Sequence, residues 1–73
     1  MDPYENLANA IIISAARDYR RTLKRLRHRP NAALWLYEKK SIEDFFLSEY
    51  FSALTTADPE KIITRIQLEE DYI

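Results

Sequence analysis

The stretch that decides the fold is residues 2–29, DPYENLANAIIISAARDYRRTLKRLRHR, which the sequence predicts to be one long amphipathic helix. Its start is well marked, because Asp2 is a favourable N-cap, Pro3 suits the first helical position and Glu5 can bond back to the cap. The chain contains no glycine, and no further proline occurs before Pro30. About 26 helical residues would span roughly 40 Å.

This predicted helix has an apolar face and a basic face. At a helical period of 100° per residue, the apolar side chains gather on one broad face. That face contains Tyr4, Ala8, Ile11, Ile12, Ala15, Ala16, Tyr19, Leu23 and Leu26. The opposite face contains Arg17, Arg20, Arg21, Lys24, Arg27 and His28. We therefore expect the helix to pack its apolar face against the rest of the chain.

The charges of the chain are unevenly distributed. Residues 17–29 hold seven Lys or Arg and one Asp, a local charge of +6, whereas residues 1–16 carry −2 and residues 30–73 carry −5, which gives the net −1. Like charges one helical turn apart cost about 0.2–0.5 kcal/mol per pair. An acidic surface should therefore lie against the basic face. It belongs either to the acidic second part of this protein, in the same or another copy, or to a partner.

Size and composition indicate one small domain, residues 1–73. A hydrophobic fraction of 47% favours a folded chain, and the absence of cysteine excludes disulfides. The apolar run 7–16 is too short to span a bilayer and follows acidic rather than basic residues. We expect a soluble cytoplasmic protein that does not enter a membrane. A core this small makes self-association a favourable way to gain stability.

The rest of the chain is predicted to form shorter helices. Asn31 can cap a short helix, and Lys39-Lys40-Ser41 is a predicted break, after which Ser41 can cap the next one. Asp58-Pro59 repeats the start seen at Asp2-Pro3. The predicted helices are residues 3–28, 32–39, 42–54 and 59–71. The fold class is therefore all-α, a small helical bundle in which two or three shorter helices pack on one long N-terminal helix.

The helix predicted over residues 42–54 is apolar on well over half of its circumference. Such a helix lies either in the centre of a domain or in an oligomer interface. The candidate apolar interface consists of Ile11, Ile12, Phe45, Phe46, Tyr50 and Phe51. We interpret Trp35 and Tyr37 in the same way, as core or interface residues, and an aromatic platform for stacking bases is the less favoured alternative. These surfaces predict a homo-oligomer, with a dimer favoured.

Residues 42–55, IEDFFLSEYFSALT, resemble a pattern in small uncharacterised proteins of bacteriophages and prophages of Gram-positive bacteria. The segment from Asn9 to Arg21 is similar to the first helix of those proteins. A glycine-containing turn often stands in that family where this chain has Ala57-Asp58-Pro59, so the resemblance does not define the approach angle of the last helix. The resemblance implies a phage or prophage origin and a location in the bacterial host. It implies no activity, cofactor or catalytic residue.

Signals for catalysis are nearly absent from the sequence. Without glycine, neither a phosphate-binding glycine loop nor a dinucleotide fingerprint can form. The one histidine, His28, lies among arginines without an obvious Ser or Asp partner, and a solvated surface role fits it best. Capping explains Glu43 and Asp44 better than a metal does. We predict that the protein is not an enzyme and has no cofactor and no metal.

Two functions remain as hypotheses. The first is a protein–protein interaction module that self-associates and acts as an accessory or inhibitor of a host or phage protein. The alternative is a nucleic-acid-binding regulator that contacts phosphates through the basic face of residues 17–29. Its candidate contacts are Arg17, Arg20, Arg21, Lys24, Arg25 and Arg27. A third, weaker idea is a small anionic ligand held between arginines of adjacent subunits.

Overall fold

The structure, a computed structural model, describes residues 3–72, apart from the side chain of Tyr4. Within them it contains four helices and no strand, which confirms the predicted all-α fold with a long first helix. The helices are α1 (Pro3–His28), α2 (Ala33–Phe46), α3 (Glu49–Leu54) and α4 (Pro59–Glu69). The predicted N-cap Asp2 and the place of Tyr4 on the apolar face lie outside the description.

The shorter helices pack along the side of α1. Trp35 lies beside Arg25, whereas Phe45 lies beside Ile11, so α2 runs antiparallel to α1. The chain then returns, and α4 runs in the direction of α1 and contacts both α1 and α2. The short α3 contacts α1 and α2. The described part measures 41 × 21 × 17 Å, and its length is that of α1.

The core lies where α1, α2, α3 and α4 meet. It consists of Tyr19, Leu23, Phe46, Phe51 and Ile66, none more than 2% exposed. The predicted apolar face of α1 supplies Tyr19 and Leu23 to this core, and Ala8 and Leu26 on the same face are also buried. The aromatic rings meet edge to face, a favourable geometry that adds about 0.5–1.5 kcal/mol per pair beyond area burial.

The break between the second and third helices falls later than predicted. No break occurs at Lys39-Lys40-Ser41, because Lys39 and Lys40 form ion pairs one turn ahead with Glu43 and Asp44 and the helix continues through them. Ser41 is not a cap. The chain instead leaves helical geometry after Phe46, and the predicted single helix over residues 42–54 is divided in two.

Ser48 is the N-cap that starts α3. Its hydroxyl accepts a hydrogen bond from the backbone N–H of Phe51 at 3.2 Å and donates one to the carbonyl of Phe45 at 2.6 Å. This cap redirects the chain, so that Phe46 and Phe51 both face the core with ring centroids 5.4 Å apart. A straight helix with that many apolar residues could not have buried both on one side.

The predicted cap of α2 is also corrected. Asn31 lies in the turn, and Ala32 occupies the N-cap position without a side-chain cap hydrogen bond. The turn is held by the backbone instead, because the N–H of Ala32 donates to the carbonyl of Arg29 at 3.1 Å. The first helical turn of α2 also lacks an acidic residue.

The last helix starts as predicted and ends earlier. Asp58 caps it by accepting from the N–H of Glu60 at 3.0 Å, and Pro59 occupies its first turn. The helix ends at Glu69 instead of residue 71, because Asp71 takes a left-handed conformation with φ of 57°. The N–H of Tyr72 then donates to the carbonyl of Gln67 at 2.9 Å, as in a Schellman ending. This ending turns Tyr72 back against the core.

Candidate functional site

The predicted basic face of α1 is exposed. All six candidate contacts, Arg17, Arg20, Arg21, Lys24, Arg25 and Arg27, are exposed to solvent. Leu23 and Leu26 alternate with them in the sequence and are buried. Because the apolar residues of the same helical turns are fixed in the core, the basic side chains of α1 lie on the solvent-exposed side of the helix.

One edge of the basic face is paired with the acidic end of α4. Nε of Arg20 lies 3.3 Å from the carboxylate of Glu69, and Nζ of Lys24 lies 3.9 Å from that of Glu70. Glu69 also pairs with Arg65 on its own helix at 3.3 Å. Acidic residues are unfavourable at the C-terminus of α4, and the basic face compensates them. Such pairs near solvent contribute about 0–1 kcal/mol each.

The middle of the basic face is paired only locally. Nη2 of Arg21 donates to Asp18 at 3.0 Å, one turn earlier on α1. For Arg17, no carboxylate of the described residues lies within the 4.0 Å that defines an ion pair. The acidic second part of the chain thus covers the α4 edge of the face and leaves the rest accessible.

The other edge of the basic face, toward α2, has no acidic cover. The guanidinium carbon of Arg25 lies 5.3 Å from the ring centroid of Trp35, a cation–π contact. In the described part of the chain, no carboxylate lies within 4.0 Å of the side-chain nitrogens of Arg25, Arg27 or Arg29. Residues 19–37 contain neither Asp nor Glu. This end of the molecule therefore keeps its positive charge.

A small cavity opens at this corner between the end of α1 and the start of α2. Its volume is about 310 Å³, and Arg25, His28, Arg29 and Trp35 line it. Sequence reasoning missed it, because it assigned Trp35 to the core or an interface. The only signal in the sequence was a tryptophan close after a run of arginines without an intervening acid.

The six residues of the candidate apolar interface do not form one surface. Phe46 and Phe51 are core residues, 0% and 1% exposed, and so are not available on the surface of this chain. Ile12 is partly buried and packs against the core. Phe45 also packs against the core, but it lines a surface groove with Ile11, and Tyr50 is 57% exposed, so these three remain partly accessible.

An apolar groove joins the accessible members of that set. It has a volume of about 390 Å³ and is lined by Ala10, Ile11, Ser14, Ala15, Asp18 and Phe45. The ring of Tyr50 extends it, since its centroid lies 6.1 Å from that of Phe45. Leu7, which is 60% exposed, lies one turn before Ile11 on α1. We call Leu7, Ile11, Phe45 and Tyr50 the groove surface.

A partly buried polar network crosses the core. The Tyr19 hydroxyl donates to the carboxylate of Glu43 and accepts from Nε2 of Gln67 at 3.0 Å. Nζ of Lys39 lies 2.9 Å from the same carboxylate and 5.7 Å from the ring centroid of Tyr72. Burial, and then the hydrogen bond to Glu43, raise the pKa of the Tyr19 phenol well above its ordinary value. The network ties α1, α2 and α4 together.

Among the described residues, no group of three or more His, Cys, Asp or Glu side chains could hold a metal ion. None of the helices in that part of the chain has the length and apolarity needed to cross a bilayer. Comparison with known proteins identified no relative: no protein-family model matches the chain, and no curated protein or solved structure matches it significantly. The candidate functions therefore rest on the basic face, the corner cavity and the groove surface.

Proposed function

We propose that the protein is a non-enzymatic interaction module that self-associates through the groove surface, with a dimer as the favoured assembly. The observation that carries the proposal is the exposure of large apolar side chains beside the groove. Leu7 is 60% exposed one turn before the lining residue Ile11, and Tyr50 is 57% exposed against the lining residue Phe45. Covering such a side chain completely contributes about 1.5–3 kcal/mol. Water-exposed apolar side chains around a groove are typical of interaction sites.

The charge distribution supports a second copy of the chain as the occupant. The starts of α1, α3 and α4, which lie away from the corner of α1 and α2, are acidic in the described residues, with Glu5, Glu49, Asp58 and Glu60 against Lys61. The opposite end of the molecule is the corner between the end of α1 and the start of α2, where Arg25, Arg27 and Arg29 lie. The groove lies near the middle of α1, so a two-fold pairing across it would set each basic end beside an acidic end.

A dimer would cover a sizeable share of the surface of the chain. A stable interface covers about 800 Å² per partner. The chain exposes 5442 Å², so the interface would need roughly 15% of it. A small domain with a limited core gains stability from covering this area.

Leu7→Glu is expected to convert the protein to a monomer. The substitution places a charge on the groove surface, where pairing would have to desolvate it at a cost of several kcal/mol. Sedimentation equilibrium over a wide concentration range measures the change. The matched control is Ile13→Glu, because Ile13 is 55% exposed on the same helix but about 120° away from Leu7.

The control should remain as associated as the original chain. A protein that sediments as a monomer at every concentration would contradict the proposal. So would an equal loss of association in both variants, since the groove surface would then have no special role. Circular dichroism checks that both variants keep their helix content.

The resemblance of residues 9–21 and 42–55 to small phage and prophage proteins supports a further part of the proposal. In it, the protein acts in the cytoplasm of a bacterial host as an accessory or inhibitor of a host or phage protein. The polarised surface favours such a role, because complementary charge accelerates encounter and selects the partner.

Nucleic-acid binding is the second candidate, and a specific observation favours it. Part of the basic face, including Arg17, Arg25 and Arg27, has no acidic partner in the described residues. Arg20 and Lys24 are already paired with α4, so about four phosphate contacts remain accessible.

If the face binds duplex DNA, log K is expected to fall with log salt at a slope of about −4, because each neutralised phosphate contributes about −0.9. Arg17→Gln should reduce the magnitude of that slope by about 1. Fluorescence anisotropy with a labelled duplex and a labelled single strand at several salt concentrations measures both. Absence of binding to either probe at low salt excludes this function.

A further inference from the structure

We propose that the cavity at the corner of α1 and α2 is a binding site for a phosphate group, held by Arg25 and Arg29 with Trp35 as one wall. The cavity has a volume of about 310 Å³ and is surrounded by two arginines, one histidine and one tryptophan ring. Arginine binds phosphate through two parallel N–H donors, which gives both strength and orientation. The proposal does not rest on self-association.

The basic residues of α1 are neutralised unequally. The chain pairs Arg20 and Lys24 with carboxylates of α4, whereas no described carboxylate reaches Arg25 or Arg29. The helical hydrogen-bond pattern continues to Arg29, because the N–H of Arg29 donates to the carbonyl of Arg25 at 2.9 Å. Two arginines one turn apart repel each other, and an anion bound between them would replace that repulsion with attraction.

Structural roles do not account for all the groups around the cavity. Arg25 packs on Trp35, and His28 lies in the last turn of α1, where positive charge is favourable. Arg29, in contrast, contributes to the turn through its backbone, which donates to Arg25 and accepts from Ala32. Its side chain makes no hydrogen bond or ion pair in the described residues, although it lines the cavity.

The size of the cavity limits the ligand. Sites for small ligands occupy about 300–1,000 Å³, and this cavity lies at the lower end of that range. It suits one phosphomonoester or phosphodiester group with a small adjoining part. A free nucleotide and a nucleic-acid strand share that chemistry, so the experiment compares both sources.

The chain contains a single tryptophan, and that residue is the wall of the cavity. Its fluorescence therefore reports on the site directly. The protein is titrated with inorganic phosphate, with adenosine monophosphate and with a short single-stranded oligonucleotide, at constant ionic strength maintained with sodium chloride. We expect a saturable change with inorganic phosphate, and tighter saturation with whichever of the other two probes is the natural source.

Arg29→Gln should weaken phosphate binding about tenfold, the loss of one charge-assisted contact. The matched control is Arg27→Gln, which removes the same charge from an exposed residue that does not line the cavity. This control should weaken binding less than about twofold. Both side chains are exposed, so both variants should stay folded, and circular dichroism checks this.

Two results would overturn the site. One is an unchanged tryptophan signal with all three probes. The other is an equal loss of affinity in Arg27→Gln and Arg29→Gln, because binding would then follow the overall charge of the basic face rather than the cavity. An affinity loss confined to Arg29→Gln supports the site even if the protein proves to be a monomer.

Discussion

Phe46→Ala is expected to lower the free energy of unfolding by about 3–5 kcal/mol, the usual cost of emptying a buried phenylalanine site. Phe46 is 0% exposed, and its ring meets those of Tyr19, Phe45 and Phe51. A domain of this length has a total stability of roughly 4–11 kcal/mol. The substitution therefore removes a large share of it, and the variant should unfold at a much lower urea concentration than the original chain.

Urea denaturation followed by circular dichroism measures this loss. Tyr37→Ala is the matched control, because Tyr37 is an aromatic residue of the same helix, is 70% exposed and lies outside the groove surface. It should lose less than about 1 kcal/mol. If Phe46→Ala kept the original stability but abolished self-association, Phe46 would be an interface residue and not the centre of the core.

The strongest predictions from sequence concerned α1, where the period of the apolar residues is regular over seven turns. A regular stripe of that length leaves one way to pack the helix, and Tyr19 and Leu23 are completely buried on it. The basic face follows from the same geometry. The cap at Asp58 was also predictable, since Asp followed by Pro is a local signal that does not depend on the rest of the chain.

The break near residue 47 was not predictable from local signals. Ser41 and Ser48 are both acceptable caps, and only the position of Phe51 in the assembled core favours the second. Lys39 and Lys40 look like a polar break in the sequence, yet their ion pairs with the following turn stabilise the helix. Tertiary packing therefore selects Ser48 rather than Ser41 as the cap and overrides the local helix propensity.

The candidate sites were likewise predictable from the sequence only in part. The sequence located the basic residues, but which of them the chain itself neutralises depends on how α4 ends beside Arg20 and Lys24. The contact of Arg25 with Trp35 depends on the tight turn between α1 and α2. Distances between helices set both features, and the periodicity of a single helix contains no information about them.

Tyr19→Phe is expected to destabilise the protein by about 1–3 kcal/mol while leaving the packing of the ring unchanged. The substitution removes the hydroxyl that links Glu43 on α2 with Gln67 on α4, and both partners lose a hydrogen bond in a partly buried place. Chemical denaturation at neutral pH measures the difference. Tyr37→Phe is the control, because the Tyr37 side chain is 70% exposed and should change stability by less than about 0.5 kcal/mol.

The same variant should reveal an alkaline dependence of stability. The pKa of the Tyr19 phenol is raised in the folded protein above its ordinary value of 10.0, so above about pH 10 the unfolded chain releases a proton that the folded chain retains. The contribution of the Tyr19 phenol to the free energy of unfolding is therefore complete below pH 10. It declines as the pH rises toward the pKa of this phenol in the folded protein. Denaturation curves between pH 8 and pH 11 should show the gap between the original chain and Tyr19→Phe narrowing above about pH 10. A gap that stays constant over that range would mean that the Tyr19 phenol is not held by this network.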